Sequence, residues 1–258
     1  MPRSLIWLFR VSALLILLLT GPAFMAACSS HQASGSWRTA DRSSVGIAPL
    51  ASETPEAVVQ VYGARAYRWR GYFAEHTWIA TKEAGSDSYL VNEVTGWGGA
   101  NKVRSYNSDP DRAWYGAAPR LYADLRGEQA EQAIVNIRQA VARYPYQTEY
   151  EAWPGPNSNT FVAWVIREVP ELDVVLPNTA IGKDYLGAGY AARSPSGSGY
   201  QLSANGYIGI LAGIEDGIEI NVLGLSFGLD PLHLGVKLPG IGQLSLRDPW
   251  PGTAASAE

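Results

Sequence analysis

The sequence predicts an α+β fold in which an antiparallel sheet packs against two main helices. Three observations carry that expectation. Runs of β-branched and aromatic residues separated by turn residues open the domain, two segments with apolar residues every three or four positions follow, and two apolar runs flank Glu215-Asp216-Gly217. Strands, then helices, then strands indicate segregated α+β layers rather than alternating α/β units.

The elements follow in order. Ala57–Gly63 is a β-branched run, and Tyr72–Thr81 and Tyr89–Trp97 read as strands on either side of the turn Gly85-Ser86-Asp87. Lys102–Asn107 reads as a further strand before a loop over Ser108–Pro119. Ala130, Ala133, Ile134, Ile137, Ala140 and Val141 mark an amphipathic helix over Gly127–Arg143, which Tyr144-Pro145 ends. A second helix opens after Trp153-Pro154-Gly155-Pro156-Asn157, with Phe161, Val162, Val165, Ile166 and Val169 on its apolar face and Pro170 at its close. Leu172–Gly199 is turn-rich. Gly206–Ile214 and Ile218–Phe227 then form a hairpin that reads as apolar on both faces, which suits either burial on both sides or docking on a membrane or another subunit. His233–Leu246 is rich in Gly and Leu and suits short strands.

Composition narrows the function classes. The chain is 47% hydrophobic and 17% charged, which is globular, and 20 basic against 24 acidic residues leave a net charge of −4. A nucleic-acid binder needs a basic footprint, so none is expected here. Residues 1–27 read as a signal peptide or membrane anchor: Arg3 and Arg10 precede the uncharged apolar run Val11–Thr20, Gly21-Pro22 breaks it, and Ala26-Ala27 lead to Cys28. The apolar core is shorter than the ~20 residues of a spanning helix, which favours cleavage over a retained helix from Leu5 to Ala27. Either way the flanking arginines hold the N-terminus inside and the domain outside. Cys28, the one cysteine in the chain, stands in Met25-Ala26-Ala27-Cys28, which resembles a bacterial lipobox and makes Cys28 a lipidation candidate. The expected organisation is a flexible tether over residues 28–56, one α+β domain over 57–246 and a disordered tail over 247–258, held at the cell envelope and facing the periplasm.

The candidate chemistry centres on Asn157-Ser158-Asn159-Thr160-Phe161. Ser158 at a helix N-terminus sits where unpaired backbone N–H groups favour developing negative charge, so it reads as a nucleophile with oxyanion donors at Asn159 and Thr160; Asn157 or Ser158 as a plain N-cap explains the same residues. A hydroxyl nucleophile needs a base, and His76, on the Tyr72–Thr81 strand, is the candidate. The Gly85 turn folds Glu93 or Thr95 back beside it to orient the imidazole, or Asn92 with a register slip of one. Trp78, Asn157, Asn159 and Thr160 are candidate binding residues. Lys183-Asp184-Tyr185 reads either as groove lining or as an exposed ion pair beside a buried tyrosine. Ser196-Gly197-Ser198-Gly199 lacks the strand-to-helix setting of an esterase elbow. No His-x-x-x-His, paired histidine or calcium loop occurs, so no metal and no cofactor are expected.

A histidine strand, here His76-Thr77-Trp78-Ile79, followed by Asn157-Ser158-Asn159-Thr160-Phe161 at a helix start resembles the circularly permuted papain-like (NlpC-type) superfamily. That group includes lecithin retinol acyltransferase-like enzymes, desumoylating-type peptidases and relatives of the cell-wall peptidases. The resemblance implies a permuted papain-like arrangement with serine in the cysteine position. More closely, the region from about Ser36 to Leu246 resembles a bacterial envelope family catalogued as domain of unknown function 3750. The stretches that carry this are Ser36–Asp41, His76–Ala80, Trp153–Phe161 and Thr179–Leu186. Two functions remain in play. One is an envelope hydrolase or acyltransferase acting on an amide or ester bond. The other is a non-catalytic envelope lipoprotein that binds a ligand, with an envelope polymer or a protein as partner and aromatic faces built from its nine Trp and fourteen Tyr.

Overall fold

The computed structural model describes residues 3–28 and 36–251. It is an α+β protein with two antiparallel sheets and three α-helices. The first sheet has five strands in the order β4-β3-β2-β1-β5: β1 (Val58–Arg65), β2 (Glu75–Lys82), β3 (Leu90–Val94), β4 (Val103–Asn107) and β5 (Arg120–Arg126). β1 lies inside the sheet and is buried on both faces, which its continuous β-branched run requires. Val59 and Val61 of β1 and Ile79 of β2 face α2 (Gly127–Arg143) and α3 (Ser158–Glu168), where Ile134, Ile137, Phe161 and Val165 complete the larger core. Val58, Tyr62, Trp78, Ala80 and Val91 point to the opposite face, under Trp114 and Leu121.

β5 is absent from the sequence reading. Its Leu, Ala and Arg content suits a helix as well as a strand, and α2 begins immediately after it at Gly127, whose φ of +57° makes the corner without a loop. The tether expected over residues 28–56 is packed over much of its described part. Asp111 gathers the Ser44 hydroxyl and the Ile47 and Ala48 N–H groups, and Ile47 and Ala51 lie against the smaller core. The tail expected from residue 247 also starts as packed chain, because Trp250 is buried and donates to Val175 O. The rest of both expectations, over 29–35 and 252–258, lies outside the described residues.

The second sheet is a seven-stranded meander, β12-β11-β10-β9-β8-β7-β6. Its strands are β6 (Ala191–Arg193), β7 (Gly199–Ala204), β8 (Ile208–Gly213), β9 (Gly217–Val222), β10 (Leu225–Asp230), β11 (Gly235–Leu238) and β12 (Gly242–Ser245). The expected hairpin is present as β8–β9, but its second arm stops at Val222. Leu223 and Gly224, with φ of +53° and +80°, turn the chain into β10. The hairpin is not apolar on both faces. Gln201, Ser203, Glu219, Asn221, Ser226 and Lys237 point inward and are buried, whereas Leu202, Ile210, Ile218, Ile220 and Leu229 point outward and are exposed.

The inward polar face is satisfied by the rest of the domain. Lys183 Nζ and Lys237 Nζ reach Glu219 at 2.5 and 2.7 Å, Gln201 and Asn221 donate to Asp184, and Arg167 of α3 donates to Gln201. Lys183 and Asp184 are therefore buried struts, neither an exposed loop pair nor groove lining. Burial pushes the Glu219 carboxyl up, but the two lysine charges overcome it and hold it below its ordinary value. Removing one member of a buried ion set strands the others. Glu219→Ala is expected to destabilise the domain by about 3–5 kcal/mol, read as a lower urea midpoint, while replacing all three charges by apolar residues of similar volume costs far less.

Candidate active site

The start of α3 is fixed by a dense set of buried hydrogen bonds. Asn157 is the N-cap, and its side-chain oxygen accepts from the Asn159 and Thr160 N–H groups at 2.9 and 3.2 Å while the Thr160 hydroxyl accepts from Asn157 N. This reciprocal cap is worth about 1 kcal/mol for the Asn side chain alone. Asn157 Nδ2 and Asn159 Nδ2 both donate to Ile181 O, and the Thr160 hydroxyl donates to Gly182 O. Gly182 has φ +103°, and a Cβ there would fall 2.3 Å from Asn157 Nδ2, so only glycine lets the cap approach. Asn159 Nδ2 also donates to Glu75 O, and the Thr77 hydroxyl donates to Asn159 Oδ1 at 2.9 Å, which ties α3 to the first residues of β2.

Ser158 is the first residue of the helix and not its cap. Its hydroxyl makes no hydrogen bond to any described residue. It is also absent from the fully buried, unpartnered atoms, namely Tyr144 Oη, Glu171 Oε2, Asn178 Oδ1, Ser226 Oγ and Gln243 Oε1, so it retains some solvent contact although the residue is 4% exposed. The Asn159 and Thr160 N–H groups, read from the sequence as oxyanion donors, are already taken by the Asn157 side chain. The N–H of Ser158 itself is the donor left over in that turn.

His76 lies on the other face of the sheet. Thr77 and Ile79 face the helices, so alternation turns His76 toward the smaller core, where its ring stacks on Trp114 at 3.6 Å between centroids and 10° between planes. Its Nε2 is 2.9 Å from Glu93 Oε2. Glu93 also accepts from the Tyr106 hydroxyl at 2.6 Å and from Arg112 Nη2 at 3.1 Å. Of the other orienting candidates, Asn92 accepts from the Ser105 hydroxyl and Thr95 donates to Trp97 O. β2 and β3 pair over Ile79–Thr81 and Leu90–Asn92, so beyond that ladder the side-chain bond between His76 and Glu93 joins the two strands. No hydrogen bond joins His76 to Ser158; the two residues are linked through Thr77 and Asn159.

Burial lowers the His76 pKa more than Glu93 raises it, so the ring is neutral at pH 7. Burial would raise the Glu93 carboxyl, but the His76 hydrogen bond and the His76 and Arg112 charges bring it down to about 2. An ionised Glu93 can only accept, so Nε2 carries the proton and Nδ1 is left as a free lone pair. A neutral imidazole held by a carboxylate on one nitrogen keeps a basic lone pair on the other, which is the protonation state that general-base chemistry requires. Among the described residues no group of three His, Cys, Asp or Glu side chains is arranged to hold a metal ion.

Other predicted residues are placed differently. Trp78 is fully buried, stacks on Tyr62 and donates to Pro110 O, so it presents no face to a ligand. The side chains of Asn157, Asn159 and Thr160 are spent on the internal bonds above. Ser196 and Ser198 bond Asp216 in a turn before β7. Cys28 is free and exposed at the end of the helix α1 (Arg3–Cys28). The sequence reading missed Arg112, Tyr106 and Trp114. Tyr106 could have been found, since it faces Val91 across β3–β4 and so shares a sheet face with Glu93; Arg112 and Trp114 come from a loop without period.

A family model described as "Protein of unknown function (DUF3750)" matches residues 56–185, half of the chain. The chain belongs to this family. The DUF3750 match takes in the five-stranded sheet, α2, α3 and the strut loop to Tyr185, and so includes His76, Glu93 and Ser158. No curated protein and no solved structure matches the chain.

The His76–Glu93 pair sets a pH dependence. An unfolded histidine titrates near 6.5, whereas the folded ring resists protonation, so stability falls as pH drops below ~6.5. Glu93, held below its ordinary 4.5, adds stability present above that value and lost as pH falls toward about 2. Urea midpoints are expected to drop between pH 7 and 5 in the wild type and to stay flatter in His76→Asn. Equal slopes in the two proteins would mean that His76 is not buried neutral.

Proposed function

We propose that this protein is an envelope-tethered hydrolase or acyltransferase acting on an amide or ester bond, with Ser158 as nucleophile, His76 as general base and Glu93 as the group that orients the imidazole. The observation that carries the reading is the division of roles at the start of α3. Asn157 takes the capping role, which leaves the Ser158 hydroxyl unpartnered at a helix N-terminus, one residue from the side chain that binds β2 beside His76. The permuted papain-like resemblance, with serine in the cysteine position, agrees with these roles.

The chemistry follows from the groups available. Ser158 Oγ would attack a substrate carbonyl as its proton passes to His76 Nδ1, with Glu93 holding Nε2–H and stabilising the imidazolium. The developing oxyanion would meet the Ser158 N–H and the positive end of α3. His76 would return the proton to the departing amine or alcohol, leaving an acyl-serine. Water completes hydrolysis, and a second alcohol or amine completes transfer. The two side chains start from opposite faces of the first sheet, so the proton transfer requires a rearrangement that brings Ser158 Oγ and His76 Nδ1 together. Residues 1–28 supply the envelope tether, with Cys28 as lipid attachment point or α1 as anchor. α1 is long and apolar enough to cross a membrane by length and composition.

A second reading, a non-catalytic envelope protein that binds a ligand or partner, is favoured by one observation. The Asn159 and Thr160 N–H groups that would strengthen an oxyanion site are committed to Asn157.

A fluorophosphonate probe separates the two. On the first reading it labels Ser158, Ser158→Ala abolishes labelling, and His76→Ala slows it by about 10²–10⁴-fold. Ser158→Cys is expected to alkylate with iodoacetamide faster than a free thiol, because the helix end lowers its pKa. Absence of fluorophosphonate labelling, with wild-type thermal stability retained in Ser158→Ala, would leave the binding reading standing.

A further inference from the structure

We propose that the outer face of the seven-stranded sheet is a membrane-docking surface, with a lipid bilayer as its occupant. The register sets Tyr200, Ala212, Ile218, Leu229, Val236 and Leu244 side by side in one row across β7–β12. A parallel row carries Leu202, Ile210, Ile220 and Phe227. Every outward position on these six strands is apolar, and all their charged residues, Glu219, Asp230 and Lys237, point inward and are buried. Five inter-strand spacings and strands of up to six residues make the face about 24 Å by 20 Å, the size of the largest apolar patch on a typical monomer, which is often functional.

The alternation is the reverse of a sheet built to pack its apolar side on its own core. The polar side is the one committed to the domain, through Lys183, Asp184 and Arg167, so the sheet has no means of turning its apolar side inward.

A bilayer is favoured as occupant because the helix α1, where it is retained, touches the β11–β12 turn of this same sheet. Leu18, Gly21 and Pro22 of α1 are buried while most of the helix is bare. A Cβ at Gly21 would lie 1.9 Å from Pro239 O, and one at Gly240 would lie 2.9 Å from the Pro22 ring, so α1 rests backbone to backbone on the β11–β12 turn. A bilayer that takes up α1 therefore meets the sheet at its edge and continues along its face. The rim fits an interface. Tyr207 and Trp153, both exposed, make an edge-on pair at 5.0 Å, and the exposed Arg193 and Arg247 stand at the two ends, Arg193 with one long bond to Gly197 O.

The test uses the full chain reconstituted in vesicles of phosphatidylethanolamine and phosphatidylglycerol that carry a lipid with an acyl-chain diazirine. After photolysis, trypsin releases β7 to β11 in a single peptide, Ser194–Lys237, because no Lys or Arg lies inside it. Label on this peptide is expected at a level similar to α1 and several-fold above the α2 peptide Gly127–Arg138. In the double variant Ile210→Glu, Ile220→Glu the label on Ser194–Lys237 is expected to fall several-fold with α1 labelling unchanged; both side chains are exposed, so the fold does not depend on them. Label confined to α1 in the wild type would overturn the proposal in favour of a water-facing sheet. An unlabelled sheet that cross-links chain to chain would overturn it in favour of a second copy on the same face.

Discussion

The knot of hydrogen bonds at the start of α3 is the constraint on which the other parts of the structure depend. Asn157, Asn159 and Thr160 bring three segments to one point: the first residues of β2 through Glu75 O and Thr77, the helix through its own cap, and the loop at Ile181–Gly182. These bonds are buried or partly buried, so a lost partner would leave a largely desolvated polar group, and the penalty exceeds the net value of the bond. The next residue after this loop segment is Lys183, which carries the tie onward to Glu219 of the second sheet. One short polar cluster thus sets β2, α3 and β9 relative to each other.

That tie explains why the second sheet tolerates a polar inner face. Polar groups buried without partners would be prohibitive, but here the Glu219 carboxylate pairs with both Lys183 and Lys237, and Asp184 and Arg167 occupy the amides of Gln201 and Asn221. Successive residues of a strand alternate, so a polar face committed to the strut loop leaves the apolar residues of these strands on the other side. The exposed rows of Ile and Leu follow from the strut, not from any lack of apolar material for a core: the larger core is already closed by α2, α3 and the first sheet.

The legible parts of the sequence are those where one period controls the residue choice. The stripe Ala130, Ala133, Ile134, Ile137 and Ala140 could only be a helix, and α2 runs over Gly127–Arg143 as that stripe indicates. Glu93 beside His76 was readable from strand alternation across the Gly85 turn. The parts that were not legible have mixed signals. β5 carries helix-forming residues and passes into α2 without a break. The β9–β10 turn places a leucine at positive φ, which no turn rule anticipates. Ile218–Phe227 reads as apolar on both faces, and the inward burial of its Glu219 and Asn221 follows only from Lys183 and Asp184, earlier in the chain. Arg112 and Trp114, which complete the His76 cluster, come from a loop whose shape is set by Asp111.

The serine at the first helical position belongs to the same logic. A thiol there would gain from the helix end through a lowered pKa, whereas a hydroxyl gains little and must rely on an aligned base. The proposed base, His76, is neutral, held by an ionised carboxylate and turned to the opposite face of the sheet. It also keeps the approach to Ser158 rigid: Trp153 donates to Leu223 O in the β9–β10 turn, and a Cβ at Gly206 would touch Pro154. The residues leading into Ser158 are thereby braced on the turns of the second sheet. Whatever surface the outer face of that sheet rests on stands at a fixed distance from the serine, and the site and the apolar face move as one body.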